Sequence, residues 1–570
     1  MKKIYLIVSL LLLSVVSLMA DGDSKVQLSG AFQTDMLVPQ VDTAIGANSY
    51  MGPFCSNNYL NLNLNSKYVT AGARLELMHK PLPGYGDNEF AGGGVKGIFV
   101  SGGYKYFNIT IGDIYDQFGS GVLLRLYEER SLGVDNALRG GRLILTPYKG
   151  ITFKALGGMQ RQFFNFDTAN WFGFRYKECG AVMGANLDLD IEEWSPKMME
   201  NDYHLRIGGA FVSKYNPDEV IVPNPEYNYR LNLPKFVGAG EVRASFSHGG
   251  WQAMAEYAYK ANDPTAENEY IYRPGQSLFM SLAYSQKGMS VLVQAKRSEN
   301  MVFRSDRGKS AYPVGNINNM PAFGYTHTYA CASNLPYATQ ADGEWAFQAE
   351  LAYKFPAKTP MGGKYGTSFK LHGTYVRGLD NKPVDEVRGS IAGTDGYSTT
   401  FFGMGDEYFL DAHLEFEKKI TKIFSMKAMY MYQRFNQVAI QKHGHFLQAH
   451  TIVTDFKVKA SKKCVVRLEG QFQYTTQNAE QYEESHEDYG NNIYGLVEVS
   501  FLNDFMVQAS DHYYFRSNIN YYNVSFTYTH GPHRVSLAYL RSKAGYNCSG
   551  GVCRVIPAQK GLTVGYSVSF

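Results

Sequence analysis

Residues 560–570, Lys-Gly-Leu-Thr-Val-Gly-Tyr-Ser-Val-Ser-Phe, alternate apolar with small or polar positions to the last residue. Leu562, Val564, Tyr566, Val568 and Phe570 share one face; Thr563, Gly565, Ser567 and Ser569 share the other. A side-chain period of two with faces this unlike predicts a strand that is oily on one side and wet on the other. The pattern recurs upstream. Leu60, Leu62 and Leu64 interleave with Asn61, Asn63 and Asn65. After a turn at Ser66-Lys67-Tyr68, Val69, Ala71, Ala73, Leu75 and Leu77 oppose Thr70, Gly72, Arg74 and Glu76. Val466, Leu468, Gly470, Phe472 and Tyr474 likewise oppose Arg467, Glu469, Gln471 and Gln473. A wet face built from Asn, Gln, Arg and Glu suits a water-filled interior. In a dry core each such charge would cost several kcal/mol.

Connections alternate in length as well. Short ones are expected at 66–68, 147–150, 248–250, 285–288, 460–463, 502–504 and 530–533. Between them lie long polar stretches near 39–58, 79–96, 117–138, 214–235, 261–275, 299–343, 378–404, 476–490 and 543–560. Short periplasmic turns and long extracellular loops are the arrangement of an outer-membrane barrel. A chain stopping on an aromatic in an amphipathic strand resembles such a barrel closing its wall. The expectation is an all-β fold, a single large antiparallel transmembrane β-barrel of about 24 strands, within roughly 20–26. Strands about 4.8 Å apart in that number enclose a cylinder roughly 45 Å across. Left open, it would compromise a membrane. The first strand, Val26 to Met36, comes too early for a separate plug domain, which argues against a TonB-dependent receptor or a barrel-assembly protein. Closure then falls to inward loops or to a partner protein.

The front of the chain adds an address. Met1-Lys2-Lys3 is charged, Ile4 to Leu18 is almost wholly apolar, and Ala20 precedes Asp21-Gly22-Asp23. That is the layout of a cleaved signal peptide, giving residues 1–20 as signal and 21–570 as barrel. No later apolar run reaches the roughly 18 residues of a spanning helix. The implied surroundings are outer-membrane lipid and lipopolysaccharide, with Phe570 as the terminal signal for the outer-membrane insertion machinery. A net charge of +3 over 570 residues gives no case for nucleic acid. In an exported chain, Cys548-Ser-Gly-Gly-Val-Cys553 reads as a disulfide across a glycine turn. Cys55 and Cys331 each fall in a long loop and are a second candidate pair; Cys179 and Cys464 read as small apolar fillers.

The densest charge lies in residues 112–142, which run Gly-Asp-Ile-Tyr-Asp-Gln-Phe-Gly-Ser-Gly and then Leu124-Arg-Leu-Tyr-Glu-Glu-Arg-Ser-Leu-Gly-Val-Asp-Asn136. Through residues 112–121 and 124–136 the chain resembles an uncharacterised family of Bacteroidota outer-membrane barrels with the pattern Gly-Asp-x-Tyr-x-Gln-Phe-Gly-Ser-Gly and Leu-Arg-x-Tyr-Glu-Glu-Arg-x-Leu-Gly-x-Asp-Asn. Stretches 59–84 and 320–338 look similar too, whereas Cys55, Cys331 and Arg139-Gly140-Gly141-Arg142 depart from it. The resemblance implies the fold and no job. Arginine and carboxylate at this density satisfy one another when withdrawn from water, and Gly119 and Gly121 permit a sharp bend. The expectation is that 117–138 folds inward. Arg125, Glu128, Glu129, Arg130, Asp135, Arg139 and Arg142 then either form a salt-bridged constriction or brace the wall.

Other constellations carry less. His443, His445 and His450 lack cysteine or carboxylate partners nearby, the acidic run 479–489 lacks EF-hand spacing, and Gly-x-Ser-x-Gly is missing. No catalytic, metal or cofactor residue is nominated. The function expected is a non-enzymatic, loop-gated passive channel for small polar solutes. The alternatives are a structural or secretion-linked scaffold filled by loops or a partner and, remotely, an outer-membrane hydrolase. The aromatic stretch 299–343, with Tyr312, Phe323, Tyr325, Tyr329 and Tyr337, suits a plug or a docking surface.

Overall fold

The computed structural model describes residues 26–47, 52–85, 91–160, 180–227, 229–308, 315–485, 487–549 and 552–570. The expected signal peptide, Cys179 and Tyr312 lie outside them. Twenty-five segments hydrogen-bond into one sheet. Two of them, Gly92–Val95 and Phe99–Tyr104, both pair with Val69–Met78 and are halves of one interrupted strand. Among the described residues the wall therefore has 24 strands. Each pairs antiparallel with its neighbours in the chain, as the alternation predicts.

The ends close the wall on themselves. Gln27–Pro39 pairs with Gln559–Ser569 from Ala31 opposite Ser569 to Pro39 opposite Gly561. The Phe570 N–H donates to the Gly30 carbonyl at 2.9 Å, and the Gly30 N–H donates back to the Phe570 carbonyl at 2.7 Å. The Phe570 ring occupies the space a Cβ at position 30 would need. Glycine there lets the last aromatic lie flat on the first strand.

Side chains sort by face as the period of two requires. In Cys464–Thr475, Leu468, Phe472 and Tyr474 are exposed while Glu469, Gln471 and Gln473 are buried. Leu77, Ile111, Phe211, Val242, Ile452 and Val524 continue the apolar exterior around the barrel. Tyr68, Tyr104, Tyr106, Tyr148, Trp194 and Trp251 stand exposed near the short turns, a girdle of the kind that sits among lipid headgroups. Apolar outside and polar within is the outer-membrane β-barrel arrangement. No helix among the described residues is long and apolar enough to cross a membrane; the crossing is made by strands.

One end carries mostly short turns and the other mostly long loops. Exceptions are 191–202, which holds the short helix Pro196–Glu200, and 356–366, both at the short-turn end, and the brief turn 515–518 at the long-loop end. Cys548 and Cys553 face each other in the hairpin of Gly545–Ser549 and Val552–Ile556 and form the expected disulfide. The second candidate pair is corrected: Cys331 is a free thiol. Cys55 opens the strand Cys55–Asn65, opposite Leu37, whereas Cys331 is held by Gln471 and Gln473 on a distant part of the wall.

Candidate functional site

Two connections from the long-loop end turn into the lumen and meet there. The first, 115–137, is the charged segment. Its entry is set by Gly119 and Gly121, whose φ values of 49° and 96° lie in the left-handed region that glycine alone adopts without cost. Between them, the Ser120 N–H and hydroxyl both donate to the Glu256 carboxylate on the wall, each at 2.9 Å. A Cβ at Gly119 would meet Glu256 Oε2 at 2.6 Å, so the wall carboxylate also demands the glycine.

The segment divides in two. Its first half is apolar: Phe118, Leu123, Leu124 and Leu126 are buried against Leu156, Val182, Val212 and Val237 of the wall and against Phe303 and Ile317 of the second loop. Each large apolar side chain so covered contributes about 1.5–3 kcal/mol, which anchors this half. Its second half buries Leu132 and Val134 and adds a network of charge. Glu128–Glu129 pairs with Val134–Asp135 in a two-residue hairpin, and the tip reaches wall residue Arg74. Arg74 grips Glu128 through both guanidinium nitrogens at 2.8 Å and lies 3.5 Å from both Glu76 and Asp135. Arg130 donates to Glu128 at 2.8 Å and to Gln33 at 2.9 Å, with its guanidinium 4.4 Å over the Tyr59 ring.

The remaining nominated residues fall outside that cluster. Arg139 makes a bidentate pair with Asp113, directly opposite it in the wall, at 2.8 Å on both arms. Arg142 and Lys154 share Asp116 at 3.1 and 2.8 Å. These brace strands. Glu129 caps the turn at Arg130–Leu132 by accepting from Ser131 N–H and Oγ–H. Arg125 lies over Tyr127 at 4.7 Å and makes no ion pair among the described residues. The seven nominated residues thus resolve into a gripped tip (Glu128, Arg130, Asp135), a braced wall (Arg139, Arg142) and two local contacts. The sequence does not single out the hub, Arg74, which there is one more polar position in an alternating strand.

The second loop, 300–343, is longer and is clamped by wall lysines. Lys214 donates to the Arg304 carbonyl at 2.7 Å, Lys260 to the Val302 carbonyl at 2.5 Å and Lys296 to the Pro321 carbonyl at 2.6 Å. All three are fully buried. Lys214 is neutralised by Asp263 at 2.7 Å and Lys296 by Glu344 at 2.8 Å, and each lysine faces Phe303 or Phe323 of the loop. Further on, Tyr337 stacks on Phe409, and Asn334 bridges Gln473 and Tyr514. Burial pushes the Cys331 thiol well above its ordinary range, with Glu469 adding to the effect. The two loops join backbone to backbone: Arg125 N–H donates to the Ile317 carbonyl at 2.9 Å and Asn319 N–H to the Gly121 carbonyl at 3.1 Å. Asn318 adds a side-chain bond to the Val122 carbonyl at 2.7 Å.

Beside the charged tip a cavity of about 520 Å³ remains, lined by Asn61, Asn63, Thr70, Arg74, Asp113 and Arg142 among others. It opens along the wall strands nearest the first loop. Among the described residues, those able to hold a cation together are His327, Asp411 and His413, where the second loop meets the wall.

The fold is similar to several solved barrels. Against the siderophore receptor PirA from Pseudomonas aeruginosa the TM-score is 0.39 at 8% identity, covering 95% of this chain and 80% of that one. Against OccAB3 of Acinetobacter baumannii it is 0.33 at 9% identity, covering 96% and 100%. Against the P pilus usher PapC translocation pore it is 0.37 at 8% identity, covering 95% and 99%. No curated protein matches the chain. A family match takes in the charged segment, the clamped loop and the closing strand alike: over residues 1–570 the chain belongs to the family of unknown function DUF6029.

Proposed function

We propose that the protein is a non-enzymatic channel of the outer membrane that passes small polar solutes and is closed at rest by its two inward loops. In this reading the long loops face outside and the short turns the periplasm, lipid and lipopolysaccharide cover the apolar exterior, and Phe570 presents the closing strand to the insertion machinery. The observation that carries it is the cavity beside Arg74, lined by Asn61, Asn63, Thr70 and Asp113, because Arg74 both borders that cavity and grips the tip through Glu128. Such contacts exchange readily with water and ions. The solute path runs past Asn61, Asn63 and Thr70, and the tip 128–135 is the gate.

Planar-bilayer recording tests this. Wild type is expected to show low, flickering conductance, and Arg74→Ala to raise the open fraction several-fold. A second reading, a scaffold whose lumen is permanently filled, is favoured by the buried lysine clamps. Liposomes carrying either protein that stay impermeable to small sugars, with Arg74→Ala still a folded barrel, would replace the channel by the scaffold.

A further inference from the structure

Where the second loop crosses to the strands Thr367–Gly378 and Glu407–Lys419, it delivers an imidazole into a buried cluster that the channel reading does not use. Asp411 and His413 share the inner face of one strand, two residues apart. His372 stands directly opposite His413 on the next, and the two rings stack at 4.8 Å. His327 arrives from the loop. Asp411 accepts from His327 Nε2 at 2.7 Å and from His413 Nδ1 at 2.9 Å, while Gln433 Nε2 fixes the carboxylate from a third strand at 3.1 Å. Asp411 and His413 are almost wholly buried, and His327 nearly so.

The hydrogen-bond directions leave ring nitrogens unused. The Thr374 hydroxyl spends its one proton on the Phe323 carbonyl at 2.7 Å. It can therefore only accept from His372 Nε2, at 2.9 Å, so a neutral His372 keeps a lone pair on Nδ1, which has no hydrogen-bond partner. With its proton on Nδ1 toward Asp411, a neutral His413 likewise keeps an unpartnered lone pair on Nε2, which faces Glu415 Oε1 at 3.7 Å. A buried lone pair aimed at a carboxylate is unfavourable. A cation taken at Nδ1 reverses this. The ring proton then sits on Nε2 and points at Glu415, the outer carboxylate that metal-bound histidines commonly use. Among the described residues, Asp411, Glu415 and Glu350 bring negative charge to the cluster and Lys370 brings positive charge, at 3.3 Å from Glu350.

We infer that His327, Asp411 and His413 form a site for a divalent transition metal of the zinc class. Two imidazoles and a carboxylate are the donors such ions prefer, and their ligating atoms all lie within 4.8 Å of one another. The bound ion would staple the loop to the wall.

The test uses the untagged full-length protein in detergent, stripped by chelator and titrated with Co2+ followed by its visible absorption, then with Zn2+ counted by mass spectrometry after gel filtration. One equivalent is expected in wild type, lost in H327A and in H413A and kept in H443A, an exposed histidine elsewhere. His327 lies outside the wall strands, so H327A leaves the barrel intact, verified by heat-modifiable migration. Wild type that binds no ion, with a proton alone serving His413, would overturn the site. So would H327A and H413A that both bind Zn2+ with wild-type stoichiometry and affinity.

Discussion

The two loops that fill the lumen are held by opposite means. The tip of 115–137 is gripped by Arg74, Glu128 and Arg130, whose side chains keep 13%, 21% and 27% of their surface open to solvent. Loop 300–343 is clamped by Lys214, Lys260 and Lys296, which keep none. Coulomb attraction near water is weak and exchangeable, and double-mutant values for such pairs are about 0.2–1 kcal/mol. A buried charge has no water to return to, so removing its partner is costly. One lumen thus contains a part built to let go and a part built to stay. The apolar half of the first loop, packed on Phe303 and Ile317, belongs with the second. Within 128–135 only the charged contacts of Glu128 and Arg130 stand apart, since Leu132 and Val134 are buried.

The largest effect is expected at the clamps. Lys296→Met leaves Glu344 buried without its ammonium and strips the Pro321 carbonyl and Thr339 of a donor. A loss on the order of 3–5 kcal/mol follows from breaking such a pair, read as a lower temperature for the shift in heat-modifiable migration. The double variant Lys296→Met with Glu344→Leu should recover only part of it: both charges and their desolvation penalty are gone, but Tyr337 and Gln340 lose the carboxylate they donate to. A single variant as stable as wild type would mean that the loop is not fixed by its lysines. Next comes Arg74→Ala, which takes the shared arginine from buried Glu76 and Asp135 and should lower that temperature by less than Lys296→Met does, yet make the tip several-fold more susceptible to trypsin at Arg130. If the clamp variant were the one cleaved there and Arg74→Ala were resistant, the division between the two loops would be reversed.

Raising the salt should separate them without mutation. At 1 M the screening length falls to about 3 Å, so the partly exposed Arg74–Glu128 pair weakens while the desolvated Lys296–Glu344 pair does not. Trypsin susceptibility at Arg130 should rise between 0.1 and 1 M salt, and the migration temperature should hold. Parallel changes in both would place the two loops in the same electrostatic environment.

What the sequence made legible follows from range. Alternation is local, so the strands, the short turns and the closing strand with Phe570 are readable residue by residue, as is the Cys548–Cys553 turn. The inward path of 117–138 is readable too, because its glycines and charges lie within one segment. Partners are not local. Arg74 is separated from Glu128 by 54 residues and His327 from Asp411 by 84, and each alone looks like an ordinary lumen-facing polar residue. Lys214, Lys260 and Lys296 sit at wet positions of their strands, and no pattern within a strand tells a lysine facing water from one facing a carbonyl of a distant loop. Charge density groups Arg125 and Glu129 with their neighbours, but direction along a two-residue hairpin decides which side chains reach the wall.

The smallest effect is also the most direct report on the immobile loop. Cys331 sits in 300–343 with its N–H donating to Gln471 Oε1 at 2.8 Å and its carbonyl accepting from Gln473 at 2.8 Å. Burial raises its thiol pKa, so the reactive thiolate is scarce at neutral pH and the sulfur is shielded as well. The sign is simple: a raised thiol pKa means the neutral form persists as pH rises through the range where an ordinary cysteine ionises, near 8.5. Folded protein should therefore show negligible maleimide labelling at Cys331 from pH 7 to 8.5 and full labelling once unfolded, with Cys55, Cys179 and Cys464 replaced by serine so that Cys331 is the thiol being read. Arg74→Ala should leave Cys331 protected, since the tip moves without the second loop. Lys296→Met should raise the labelling rate, since the clamp holds the segment that leads to it. Labelling that rises in Arg74→Ala as much as in Lys296→Met would show that the tip and the clamped loop move as one body, and the gate would then have to be the whole plug.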